Sequence, residues 1–167
     1  MNCTSAQANK LLKQLQEEQI ALQRKETQSR TFVAAITEDI ELARPAYDYE
    51  ATQQRLAKIE RDIRVIKHAI NAFNLSHTVE GFNMTVDQIL VYIPQLSARK
   101  EKLSRMAGVL EKTRLNNTGR SNIIEYEYAN YDVRRAMEDY TAVSEELSRA
   151  QVALDRLNDT ETMQIEL

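Results

Sequence analysis

The sequence predicts a mainly α protein: an antiparallel helical bundle of about four coiled-coil-like helices, with a few short β-strands at its ends. Three observations lead there. Glycine (3) and proline (2) are scarce among 167 residues, so tight turns are few and regular elements long. Apolar residues make up 43% and charged residues 28%, enough to build a core and still face water. Three long segments carry apolar residues at alternating steps of three and four, the spacing that puts them on one helix face.

The first helix, about 5–28, is the loosest. It starts from Thr4 or Ser5 and carries Ala8, Leu11, Leu12, Leu15 and Leu22 on a narrow stripe opposite a glutamine-rich face. The second, about 48–73, follows Pro45 and places Tyr49, Thr52, Leu56, Ile59, Ile63, Ile66, Ile70 and Phe73 in one seam. Asp48 suits its N-cap, because a carboxylate there accepts free amide hydrogens of the first turn. The third, about 86–110, begins at a capping box of Thr85 with Gln88 and runs Val86, Ile89, Ile93, Leu96, Lys100, Leu103, Ala107, Leu110. Only Lys100 interrupts that stripe, and Pro94 predicts a kink. The fourth, about 132–157, starts near Asn130 or Asp132 and carries Val133, Ala136, Tyr140, Val143, Leu147, Ala150, Leu154 and Leu157 without a break.

Three segments have strand character. Thr31 to Ile36 is β-prone. In 123–128, Ile124, Tyr126 and Tyr128 alternate with Ile123, Glu125 and Glu127, and in 162–167, Met163, Ile165 and Leu167 alternate with polar residues. Residues 112–122 read as a polar loop containing Gly119, and 74–83 as the other sizeable connection. With alternating helices, 31–36 and 123–128 share one end and could pair. A fourth helix of about 26 residues spans roughly 39 Å and carries the last strand to the other end. That strand is expected to pair with 76–82 or with a neighbouring subunit, because an apolar strand edge is a liability in water. One helical domain, 1–167, assembling as a homo-oligomer, is the expectation.

The longest apolar run is Ile89 to Ile93, far short of the roughly 20 residues of a membrane span. The first ten residues lack the apolar stretch of a secretory signal, and a cytoplasmic location is expected. Cys3, the one cysteine, reads as a free thiol in a frayed terminus. His68 and His77 have no ligand-spaced companions, and neither a phosphate loop nor a nucleophile elbow occurs. No residue is therefore nominated as catalytic or metal-binding, and no cofactor is expected.

Two groups remain as candidates. Net charge is −3, yet residues 55–120 hold twelve bases against six acids. Arg61, Arg64, Arg99, Lys102, Arg105 and Arg114 are the residues by which helices 55–67 and 99–114 could meet nucleic acid. The competing reading pairs these bases with Glu138, Asp139, Glu145 and Glu146 of the fourth helix, and it is preferred because interspersed acids weaken a phosphate-facing field. The second group is Tyr126, Tyr128, Asn130 and Tyr131. Tyrosines suit a half-buried sheet face, and base-stacking sites pair aromatics with adjacent bases, whereas this strand carries Glu125 and Glu127. The tyrosines are expected to face the bundle, with Tyr131 stapling the start of the fourth helix. A deep polar pocket holding several of the four would point instead to an enzyme.

"IKHAINAFN" (66–74), "MTVDQILVYIPQLSARKEKL" (84–103), "SNIIEYEYANYDV" (121–133) and "NDTETMQIEL" (158–167) together resemble the septicolysin-like family of small bacterial proteins. The likeness spans most of the chain and is weaker before Asp48; Pro94 and the tyrosine-rich strand depart from it. The resemblance implies a helical, oligomeric protein with little sheet and no catalytic motif. The toxin-like family name implies pore formation, but the amphipathic strands here run about six residues against the roughly 9–11 a membrane barrel needs. Asn71, Asn74 and Asn130 read as turn and cap residues. The function expected first is a non-catalytic interaction or scaffold protein. A nucleic-acid-associated protein is the alternative, and an enzyme or pore former ranks lower.

Overall fold

A computed structural model describes residues 1–115 and 124–167. The chain is mainly α: β1 (Asn2–Thr4), α1 (Ser5–Ser29), α2 (Ile40–Ala43), α3 (Tyr49–Ser76), β2 (Thr78–Val79), β3 (Met84–Thr85), α4 (Val86–Ala107), β4 (Lys112–Arg114), β5 (Tyr126–Tyr128), α5 (Val133–Thr160) and β6 (Thr162–Gln164). It divides into two compact units, Met1–Ser76 with Leu157–Leu167, and His77–Arg156.

In the first unit α1 runs antiparallel to α3. Arg55 bonds Glu18, Gln19 donates to Glu60 at 3.4 Å, and Gln53 donates to Glu26 at 2.6 Å. Of the seam read from the sequence, Leu56, Ile59, Ile66, Ile70 and Phe73 are buried on α3, Thr52 and Ile63 are half-buried, and Tyr49 at its start is exposed. Asp62 is buried beside them, with the Arg61 guanidinium 3.4 Å away. In the second unit α4 runs antiparallel to α5. Leu96, Val143, Leu147 and Ala150 form a buried cluster, with Phe82, Tyr92, Ile93 and Leu103 packed against it. Burying a Leu or Val side chain is worth about 1.5–3 kcal/mol, so each seam is the main attraction holding its hairpin.

The two hairpins repeat one local pattern. Asn2-Cys3-Thr4-x-x-Gln7 opens α1 and Asn83-Met84-Thr85-x-x-Gln88 opens α4. Both close reciprocal capping boxes. Thr4 N–H donates to Gln7 Oε1 at 3.0 Å, and Gln7 N–H donates to Thr4 Oγ1 at 3.3 Å. The matching bonds at Thr85 and Gln88 are 2.9 and 3.4 Å. Tyr47-Asp48 precedes α3 and Tyr131-Asp132 precedes α5. Asp48 Oδ1 accepts from Ala51 N–H at 2.9 Å, and Asp132 Oδ1 accepts from Arg135 N–H at 3.0 Å. Across the ends of α3 and α5, Phe73-Asn74-x-Ser76-x-Thr78-Val79 matches Leu157-Asn158-x-Thr160-x-Thr162-Met163.

The strands follow the same rule with exchanged partners. β2 pairs antiparallel with β3, Val79 opposite Met84, and β6 pairs antiparallel with β1, Met163 opposite Cys3. The strand after each hairpin therefore pairs with the strand that opens the other hairpin. A tight turn joins β2 to β3, with positive φ at Gly81 and Asn83, a conformation cheapest for these two residue types.

Several expectations change. The C-terminal strand does not pair with 76–82; it pairs with β1 of the same chain, so the argument that an unpaired C-terminal strand demands assembly falls. Cys3 is buried in that ladder and the terminus is not frayed. Thr31 to Ile36 forms no strand, and residues 40–43 form a short helix instead. Residues 112–114, read as loop, form β4, the partner of β5. Ile124 and Glu125 lie just outside β5, while Ile123, Gly119 and Arg120 lie outside the described residues. Helix α4 stops at Ala107, capped by Gly108, so Leu110 leaves the seam and is exposed. Helix α3 runs to Ser76, which places Asn71 and Asn74 inside it and not at a turn.

Candidate functional site

The most distinctive surface of the second unit is the β4–β5 ribbon. Its register pairs Lys112 with Tyr128, Thr113 with Glu127 and Arg114 with Tyr126. The ladder continues at both ends, where Leu115 N–H donates to Glu125 O at 2.9 Å and Ala129 N–H donates to Glu111 O at 3.1 Å. Hydrogen-bonded and non-hydrogen-bonded pairs alternate in an antiparallel ladder. Lys112–Tyr128 and Arg114–Tyr126 therefore fall at the non-hydrogen-bonded positions, where side chains approach most closely.

Strand alternation then sorts the ribbon by chemistry. Lys112, Arg114, Tyr126 and Tyr128 share one face. Glu111, Glu125 and Glu127 are out of phase with them. Lys112 Nζ lies 4.1 Å from the Tyr126 ring centre and 5.4 Å from that of Tyr128. The two rings are 6.3 Å apart and tilted by 50°. Both are exposed, Tyr128 at 61%, so they do not face a core as the alternation of the single strand suggested. Lys112 of the partner strand, and no packed helix, lies over both rings. Arg114 is exposed and forms no ion pair with a described residue.

Tyr131 and Asn130 belong to the base of the ribbon. Tyr131 Oη donates to the Met106 carbonyl at 2.8 Å, tying the start of α5 to the end of α4, and Asn130 is exposed in the bend before it. A pocket of about 500 Å³ beside them is lined by Glu111, Ala129, Tyr131, Asp132, Val133 and Arg134. Of the four candidate residues only Tyr131 reaches it, so it does not gather the tyrosines into a polar pocket.

The helical bases are distributed between the units. Arg61 and Arg64 lie on α3; Arg61 faces Asp62, and Arg64 forms no ion pair with a described residue. Arg99, Lys102 and Arg105 lie exposed on α4, where Arg105 bonds Glu101 at 2.9 Å. Among the described residues no ion pair joins these bases to Glu138, Asp139, Glu145 or Glu146 of α5. Glu138 and Asp139 pair with Arg135 of their own helix, both at 3.3 Å, and Glu146 accepts from Tyr92 Oη at 2.6 Å. That hydrogen bond, with partial burial and the Glu146 charge, holds the Tyr92 hydroxyl above the usual tyrosine range. Tyr47 is raised in the same way by its bond to Glu26, 2.7 Å long, followed by burial.

The first unit offers a different surface. Between α1 and α3, Val33 is 97% exposed and Ile36 fully so, and Ile40 and Leu42 also stand in water. Within this segment Arg44 bonds Glu41 at 2.8 Å and stacks 5.3 Å from the Phe32 ring centre.

Among the described residues no group of three or more His, Cys, Asp and Glu side chains could hold a metal ion, and no helix is long and apolar enough to cross a membrane. No family model matches the chain, and no curated protein matches it. It is similar in structure to a functionally unknown conserved protein from Corynebacterium diphtheriae, with a TM-score of 0.64 and 20% identity over 98% of this chain and 100% of that one. The likeness is one of fold.

Proposed function

We propose that the protein is a non-catalytic interaction protein that self-associates through the segment between α1 and α3. One observation carries this reading: Val33, Ile36, Ile40 and Leu42 expose large aliphatic side chains within ten residues. Clustered exposure of that kind marks interaction surfaces, and covering each side chain returns about 1.5–3 kcal/mol. The partner chosen is a second copy. Arg30 and Arg44 flank Glu38, Asp39 and Glu41, so the surface carries both signs and can set its bases against the acids of its own copy. The resemblance to the septicolysin-like family implies an oligomer as well, and adds no chemistry to it.

Light-scattering mass across a dilution series tests the reading. The expected result is a mass above that of one 19.3 kDa chain that falls on dilution. The double variant Val33→Asp and Ile36→Asp is expected to give the single-chain mass with an unchanged helical circular dichroism spectrum. A wild-type mass equal to one chain at every concentration overturns it.

A further inference from the structure

We propose that the face of the β4–β5 ribbon formed by Lys112, Arg114, Tyr126 and Tyr128 binds single-stranded nucleic acid, with bases stacked on the two rings and phosphates held by the two cations. A sequence-level objection to such a site is that Glu125 and Glu127 flank the tyrosines. The register removes it. Both acids lie out of phase with the rings, and the cations arrive from the partner strand at the positions directly opposite them. Single-strand binders need both elements side by side, an aromatic platform that any base can use and positive charge along the backbone.

The ligand class follows from what the face offers. Two exposed rings stand 6.3 Å apart on one strand, beside two cations. An acidic peptide would use the cations and leave the rings idle. A duplex keeps its base faces inside its own stack, so the rings could not reach them. An unpaired strand presents a planar apolar base and an anionic phosphate at every step, and uses all four side chains. In the free protein Lys112 covers the rings, at 4.1 and 5.4 Å. An exposed cation–π contact is weaker than base–aromatic stacking, and the flexible lysine stem lets the ammonium leave the ring for a phosphate. Lys112 thus acts as a cover that becomes a phosphate contact.

The site is single. In the repeated architecture the ribbon lies between α4 and α5, and its counterpart between α1 and α3 forms no strand. One oligonucleotide per chain is therefore expected. The proposal is independent of self-association, since the two surfaces share no residue.

Fluorescence anisotropy of the full chain with a short labelled oligothymidylate tests it, read beside the same sequence as duplex and with polyglutamate as competitor. Wild type is expected to bind the single strand more tightly than the duplex. Its affinity should fall with salt at a log–log slope of about −1.4, that of two single-strand phosphate contacts. Tyr126→Ala with Tyr128→Ala should weaken binding about tenfold or more, while Tyr126→Phe with Tyr128→Phe retains it. Lys112→Glu with Arg114→Glu should abolish the salt dependence along with most of the binding. Glu127→Gln, out of phase with the site, should change affinity by less than about threefold. Circular dichroism confirms that each variant is folded. Absence of wild-type binding overturns the proposal, and so does equal binding of duplex. Binding unchanged in either the tyrosine-to-alanine or the charge-reversed variant overturns it too. Displacement by polyglutamate with no effect of the tyrosines assigns the face to acidic polymers in general.

Discussion

Two helix hairpins in this chain turn the same corner and fill the gap before it differently. At each corner a Tyr-Asp pair does two jobs. The tyrosine reaches back to the helix just left, Tyr47 to Glu26 and Tyr131 to the Met106 carbonyl, and the aspartate caps the helix about to start. Between helix end and corner, residues 31–46 leave aliphatic side chains in water, whereas β4 and β5 form a backbone-paired ribbon. Thr31 to Ile36 is no worse a strand former than 112–114. It forms no ladder with another segment, and a strand without a partner leaves its amides to water. Strand formation is a property of two segments, so a single β-prone run decides nothing.

That comparison can be broken at several levels. The largest effects belong to the seams. Ile59→Ala in α3 and Ile89→Ala in α4 should each cost about 2–5 kcal/mol in urea unfolding, because both side chains are fully buried. Val33→Thr should stay within about 0.5 kcal/mol under conditions where the chain is a single copy. A comparable loss at Val33 would show that the segment is packed, and would end the contrast between the two connections.

Next come the corners. Asp48→Ala and Asp132→Ala should each cost about 1 kcal/mol, measured as a lower unfolding midpoint. Similar losses sharpen the equivalence of the two corners. A loss at one alone would mean that the caps look alike and carry different loads.

The smallest effect is a pH dependence. Tyr92 and Tyr47 donate to carboxylates, and those bonds, with burial, raise both hydroxyls above the usual tyrosine value near about 10. For a group raised on folding, the stabilisation is fully present below the unfolded value and is lost as pH rises through the folded one. Stability should therefore decline above about pH 10, and Tyr92→Phe should flatten part of that decline. Absorbance of tyrosinate against pH checks it: Tyr92→Phe and Tyr47→Phe should each remove amplitude from the high-pH end of the titration.

Much of the fold could be read from side-chain spacing. Apart from Tyr49 and Leu110 at their ends, the seams of α3, α4 and α5 lie where periodicity puts them, and the Thr85–Gln88 box and the Asp48 and Asp132 caps where cap chemistry does. The repeat was equally legible, since Asn-x-Thr-x-x-Gln at 2–7 recurs at 83–88 and Tyr-Asp at 47–48 recurs at 131–132. It implies that the C-terminal strand has the same kind of partner as β2, an opening strand. Without the repeat, helix length alone sent that strand to the wrong partner. The candidate site was legible only in half. Tyr126 and Tyr128 stand out by composition, but Lys112 lies in a segment whose threonine, asparagines and glycine spell a loop.

Sequence by itself set where each of the four long helices starts, which stripe it buries and which residues cap it, because those follow from neighbours within about four positions along the chain. Tertiary structure decided which strands pair, which way the tyrosines face and which charges meet. Each of these depends on a segment far away in sequence, and residue spacing carries no information about which distant backbone will arrive in register.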